Sequence, residues 1–249
     1  MMGLRSKLLA GALLAATAMP AISVPALAEP DFTGTYERYP APGEEADPRF
    51  APNRPGEPPL KPEYLADYRA YQAVLASRAE ESQPAGENYI RCLPDGMPAM
   101  MMGMFPMEIF QRDEQINITQ EAFNQTRRIY MNQELPRWDE VNPGFFGASV
   151  GHWEGDTLVI RTTGIKQSVE FQWTPHSEAM VITERISLLS PDILHNEITV
   201  EDEFFERPWT YSYSYRRMPG YKLQEYVCED NRDYVDENGN HTMRLPGEE

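Results

Sequence analysis

The sequence predicts a mainly β protein: an up-and-down antiparallel meander of about ten strands closing into a barrel, with one N-terminal helix and a proline-rich arm. Three observations carry this. From Met107 onward, apolar residues recur at every second position in short runs, the period of half-buried strands. Turn-forming clusters separate the runs, most plainly Gly155-Asp156 between "ASVGHWE" and "TLVIRTTG". A meander of that length leaves exposed edges unless it closes on itself.

The elements follow in chain order. Arg5 and Lys7 precede an apolar, alanine-rich stretch from Leu8 to Val24, and Ala26-Leu27-Ala28 has the small-x-small pattern of a processing site. Pro20 and Pro25 interrupt the stretch, which is short for a membrane span, so residues 1–28 are expected to be a removable signal peptide. No arginine pair and no cysteine beyond the cut point to other export routes. The expected location is periplasmic or secreted, after cleavage near Ala28.

Residues 29–62 hold a first strand in "DFTGTYERY" and then the proline-rich arm, too poor in apolar residues for a core of its own. Residues 63–249 form the expected single barrel domain with its preceding helix. Pro62 suits a first helical turn, and Leu65, Tyr68, Gln72 and Leu75 recur at helical spacing. The expected strands are "MEIFQ", "INITQE", "TRRIYM", "ASVGHWE", "TLVIRTTG", "EAMVITERISLL", "ILHNEITVED", "WTYSYSYRR" and "KLQEYVCE".

One hairpin can be read in register across the turn at Ser190-Pro191-Asp192. Leu188 then faces Leu194, Ile186 faces Asn196, Glu184 faces Ile198 and Ile182 faces Val200. This apolar row belongs to the core, with Glu184 and Asn196 as polar intruders. The other face pairs Thr183 with Thr199 and Arg185 with Glu197, a cross-strand ion pair on the solvent side.

Composition narrows the partners. The formal net charge is −17, and losing Arg5 and Lys7 with the leader makes the chain more acidic still. Such a surface repels nucleic acid and anionic headgroups, and no later stretch is apolar enough for a membrane span. Cys92 and Cys228 are the only cysteines. In an oxidising compartment they are expected to form a disulfide worth about 3–5 kcal/mol on the chain-entropy model.

A carboxylate in an apolar row needs a partner or a raised pKa. Glu184 is therefore either structurally paired with an inward arginine, such as Arg128 or Arg161, or a pocket residue, with Asn196 orienting either partner. His176 and His152 are candidate acid–base complements to Glu184; His195 and His241 read as bland. No tight histidine spacing, nucleophile elbow or phosphate loop is present, so no metal or cofactor is expected. Tyr211, Tyr213 and Tyr215 share a strand face, and Tyr213 is a candidate lining residue.

"CLPDGMPAMMMGMFPMEIF", from Cys92 to Phe110, leaves three readings open. Clustered thioethers suit Cu(I). They also make an adaptable lid over a pocket, with Met101 and Met104 as candidate contacts, or simple packing. Pro94, Gly96, Pro98, Gly103 and Pro106 deny the run a regular helical face.

"RCLPDGMPAMM", "SVGHWEGDTLVI", "PHSEAMVITERI" and "RPWTYSYSYRR" together resemble an uncharacterised group of exported bacterial proteins with C-L-P-x-G-M-P and G-R-W-E-G-D-T-L-V-V motifs. The resemblance spans Arg91 to Asn231 and implies export but no activity. The chain departs from it at Gly147-Ala148-Ser149, where G-H-S is expected, and at His152, which takes the arginine position. "FTGTYERY" is more distantly similar to the G-x-W opening of lipocalin-type barrels, with Tyr36 in the tryptophan place. That likeness implies a barrel whose mouth takes a small molecule.

Three functions are thus expected in descending order. The first is an exported barrel binding a small apolar or aromatic ligand. The second is a cofactor-independent lyase, isomerase or hydrolase, with Glu184 and a histidine as acid and base and Arg128 or Arg161 stabilising an anion. The third is copper handling through the methionines. Ligand identity and oligomeric state are not legible.

Overall fold

Alternating apolar and polar side chains set the strands, and closure sets how many there are. The computed structural model describes residues 29–80, 92–169, 171–228, 234–235 and 241–242. The strands are β1 (Gly34–Tyr39), β2 (Met107–Gln111), β3 (Gln115–Gln120), β4 (Gln125–Met131), β5 (Ala148–Glu154), β6 (Thr157–Thr163), β7 (Val181–Ser190), β8 (Ile193–Glu201) and β9 (Trp209–Arg217). They form one closed barrel in sequential order, with β1 pairing β9 to complete the ring. A separate ribbon pairs Tyr234–Val235 with His241–Thr242. The helix α1 spans Pro62–Glu80.

Two details differ from the expected meander. Every neighbouring pair is antiparallel except β4 and β5, which run parallel with Ile129 opposite Ser149. The reason is topological: alternating directions cannot close around an odd number of strands, so one junction must be parallel. It falls where residues 132–147 carry the chain from one barrel end back to the other. The tenth expected strand, "KLQEYVCE", is irregular over 221–227. Closure has already used both edges, β1 and β9, leaving it no ladder to join. Instead Tyr221 Oη and the Gln224 amide donate to the Glu121 carboxylate.

The β7–β8 register is the one read from the sequence, including Glu184 opposite Ile198 and Ile186 opposite Asn196. On the outer face, however, Arg185 forms its ion pair with Glu154 of β5 at 2.9 Å rather than with Glu197. Along β9 the inner residues Trp209, Tyr211, Tyr213 and Tyr215 are buried, as expected of one face. Ser212 and Ser214 on the other face are buried too, because the proline-rich arm covers them. Asn53 exchanges hydrogen bonds with Ser212, and Ser214 Oγ donates to the Phe50 carbonyl.

The arm then bridges Leu60 to Phe205 and leads into α1, where Tyr64 stacks on Phe204 at 4.0 Å. This helix therefore lies at the barrel end formed by the β6–β7 and β8–β9 connections. At the opposite end Phe32 packs on Trp153 with ring centroids 5.2 Å apart. Cys92 and Cys228 are joined by a disulfide across 136 positions. The expected signal peptide, residues 1–28, lies outside the described residues. No described helix is long and apolar enough to cross a membrane.

Candidate functional site in the barrel interior

The interior is mostly apolar, and its one charged cluster is built around Arg127. Along β4, Arg127 shares its parity with Ile129 and Met131, so its side chain enters the barrel, and it is 1% exposed. Its Nη2 reaches Glu184 Oε2 at 2.5 Å and Thr162 Oγ1 at 2.8 Å, while Nε donates to Ser149 Oγ at 3.1 Å. Asn196 Nδ2 donates to the other carboxylate oxygen of Glu184 at 2.9 Å. Both charged side chains are fully buried. A buried pair survives only when the remaining polar atoms are also bonded, since desolvation otherwise exceeds the attraction.

Here they are not all bonded. Arg127 Nη1, Asn196 Oδ1 and the Tyr211 hydroxyl have no hydrogen-bond partner, three of four such buried side-chain atoms among the described residues. The orientation of the Asn196 amide is set by chemistry: Glu184 only accepts, so the nitrogen faces it and the oxygen is left over. Burial drives the Tyr211 phenol well above its ordinary pKa, helped by the nearby Tyr213, Glu184 and Tyr215. Burial likewise raises Tyr213 to about 12 against the pull of Arg38 and Arg54, and Tyr215 lies well above its ordinary value. All three phenols therefore remain neutral hydroxyl groups.

Above the cluster sits the methionine segment. Ala99–Met102 forms a short 3-10 turn in which Met100 and Met101 are fully buried, as is Met97 just before it. Gln120 Nε2 donates to the Met100 carbonyl at 3.1 Å, and Tyr215 Oη donates to that of Met101. The Met97 amide donates to Phe145 O at 2.8 Å. Gly96 makes this entry possible. Its φ is +71°, and a Cβ there would meet Val169 Cγ1 at 2.5 Å and Phe145 O at 2.6 Å. The segment is a plug rather than a helix, held by side-chain amides and one phenol.

A cavity of about 10 Å³ lies at the plugged end, between Pro98, Phe171, Thr174, His176 and Trp209 among others. This is room for about one water molecule.

The structure brings together Glu184 and Asn196, with Met101 and Tyr213 on the same interior. Met104 is exposed; its sulfur accepts from Arg38 Nη1 at 3.4 Å, and the Arg38 guanidinium lies over the Tyr213 ring. The arginine that meets Glu184 is Arg127, whereas Arg128 and Arg161 both point outward and are exposed. Their strand parity, opposite to that of Ile129 and Ile160, puts them there.

Neither histidine reaches Glu184. His176 is buried with its two ring nitrogens on the carbonyls of Ser177 and Val169, at 2.8 and 2.7 Å. His152 is outward on β5 beside Glu154, at 3.3 Å. With Arg161 it lines an outer groove of about 440 Å³ that also contains Gln133, Glu134 and Leu135. The expected Glu–His acid–base pair is therefore not assembled. Since Cys92 is in the disulfide, no thiolate accompanies the methionines.

Sequence reasoning missed Arg127, Ser149 and Thr162. Arg127 could have been found: in "TRRIYM" it is the first arginine, not the second, that alternates with the apolar residues. Ser149 and Thr162 carry no such signal, because small hydroxyl residues suit either face.

No family model matches the chain, and no curated protein matches it. Among 19 matching chains of solved structures is a mutant of the fluorescent protein UnaG, 14% identical, with a TM-score of 0.30 over 53% of this chain and 86% of that one.

Proposed function

We propose that this protein is an exported barrel that binds a small apolar or aromatic molecule in its interior, with the methionine plug as the gate. One observation carries the reading: a fully buried ion pair with unpartnered polar atoms shares the barrel interior with a methionine segment whose regular structure is a single 3-10 turn. A core serving stability alone gains nothing from such a cluster, since apolar residues of similar volume stabilise as well or better. Orphaned buried polar atoms are rare, and a functional role is one of the few reasons to keep them.

The plug suits a gate. Methionine side chains are flexible and adapt to several shapes, and a short 3-10 turn has weak hydrogen-bond geometry. Cys92 tethers the segment to Cys228, so displacement swings the plug aside without freeing it. The disulfide also supports a periplasmic or secreted location.

Titration of the mature protein with hydrophobic fluorescent probes tests this, following Trp209 near the plug and Trp153 at the far end. The expected result is a saturable change in Trp209 emission. Absence of saturable binding across a panel of apolar and aromatic probes would remove the proposal.

A further inference from the structure

The unpartnered atoms also specify what the ligand's polar end must be. We infer that the barrel selects an aromatic or apolar molecule bearing a neutral hydroxyl group, and discriminates against the matching carboxylate. This rests on the binding reading above and sharpens it.

Charge decides between the two. Glu184 already neutralises Arg127, and Asn196, Ser149, Thr162 and Tyr211 bring no charge. An entering carboxylate would leave one uncompensated negative charge in a fully buried site beside Glu184, the arrangement a low-dielectric interior tolerates least. Had Arg127 been unpaired, the opposite conclusion would follow.

Hydrogen-bonding capacity then selects among neutral groups. Arg127 Nη1 is a donor without an acceptor, and Asn196 Oδ1 is an acceptor without a donor. The Tyr211 hydroxyl, also unpartnered, can serve as either. A ligand hydroxyl both accepts and donates, so it complements this set. A plain hydrocarbon satisfies none of it, and leaving polar atoms unpaired is what makes such sites reject analogues lacking the group. Room comes from the plug: the side chains of Met97, Met100 and Met101, buried together in the barrel, are comparable in bulk to a two-ring aromatic.

The test uses three probes of one shape, naphthalene, 1-naphthol and 1-naphthoate, titrated at neutral pH into the mature protein and read by calorimetry and tryptophan emission. Naphthol is expected to bind at least about tenfold more tightly than either of the others. In Tyr211→Phe, which removes an oxygen that bonds nothing in the free protein, naphthol affinity is expected to fall about three- to tenfold while naphthalene affinity holds. Circular dichroism verifies that the variant is folded.

The outcomes separate the two claims. If none of the probes binds, the binding reading itself fails. If naphthalene equals naphthol, the polar cluster takes no part and the inference is overturned. If naphthoate is preferred, the inference is overturned in favour of an anion site, for which Arg38 at the plugged end is the candidate.

Discussion

The phenol of Tyr215, on the last barrel strand, donates its hydrogen bond to the backbone carbonyl of Met101 in the plug. One bond thus links the wall of the barrel to the segment that closes it. Tyr215→Phe leaves that buried carbonyl without its donor and is expected to destabilise the protein by about 1–3 kcal/mol. If the plug is a gate, the same variant should also admit probes faster in stopped-flow fluorescence. Lower stability with unchanged association rates would mean the segment is packing only.

The Arg127–Glu184 pair invites a sharper comparison. Arg127→Met strands a buried carboxylate and is expected to cost about 3–5 kcal/mol by urea denaturation. Adding Glu184→Leu should recover most of that loss, since apolar replacements of a whole buried pair are often neutral or better. Recovery of stability with loss of naphthol selectivity would separate the cluster's role in binding from any role in folding. Full selectivity in the double variant would count against the polar cluster as the recognition site.

Removing the disulfide tests the tether. Cys92→Ala with Cys228→Ala is expected to lower stability by about 2–5 kcal/mol, because the bridge closes a very long loop in the unfolded chain. The plug also loses its anchor, so limited proteolysis should cut within residues 93–106 earlier than in the parent. Unchanged protection there would show that Gly96 and the glutamines hold the segment unaided.

Asp95, at the start of the plug, supplies a pH signature. Burial raises its pKa, and the hydrogen bond from Gln125 Nε2 offsets only part of this. The folded state then binds this proton more tightly than the unfolded state. Its contribution is most favourable at low pH and declines as pH rises through the raised value. Asp95→Asn is therefore expected to raise the melting temperature at pH 7, with the gap to the parent narrowing toward about pH 4. A gap that does not change with pH would contradict this account.

Much of this was legible in the residues. Period-two alternation from Met107 onward located eight of the nine barrel strands, and the Ser190-Pro191-Asp192 turn aligned Glu184 and Asn196 on the inner face. Helical spacing after Pro62 marked α1, and an isolated pair of cysteines marked the disulfide. Each of these is a local property, decided within a few residues or by elimination. The partner of Glu184 was less legible. Two adjacent arginines in "TRRIYM" offer both parities, and only their apolar neighbours tell them apart.

What the sequence determined by itself is therefore the barrel and the polarity of its inner face, because side-chain direction along a strand follows from backbone geometry alone. The tertiary structure decided how distant strands meet. An odd ring forced the parallel β4–β5 junction and left "KLQEYVCE" without an edge. Closure brought Arg127 of β4 to Glu184 of β7, which are not neighbours in the sheet. It also turned Met97, Met100 and Met101 of "CLPDGMPAMMMGMFPMEIF" into a plug, since flexible, unbranched methionine side chains fill whatever apolar room the barrel end leaves.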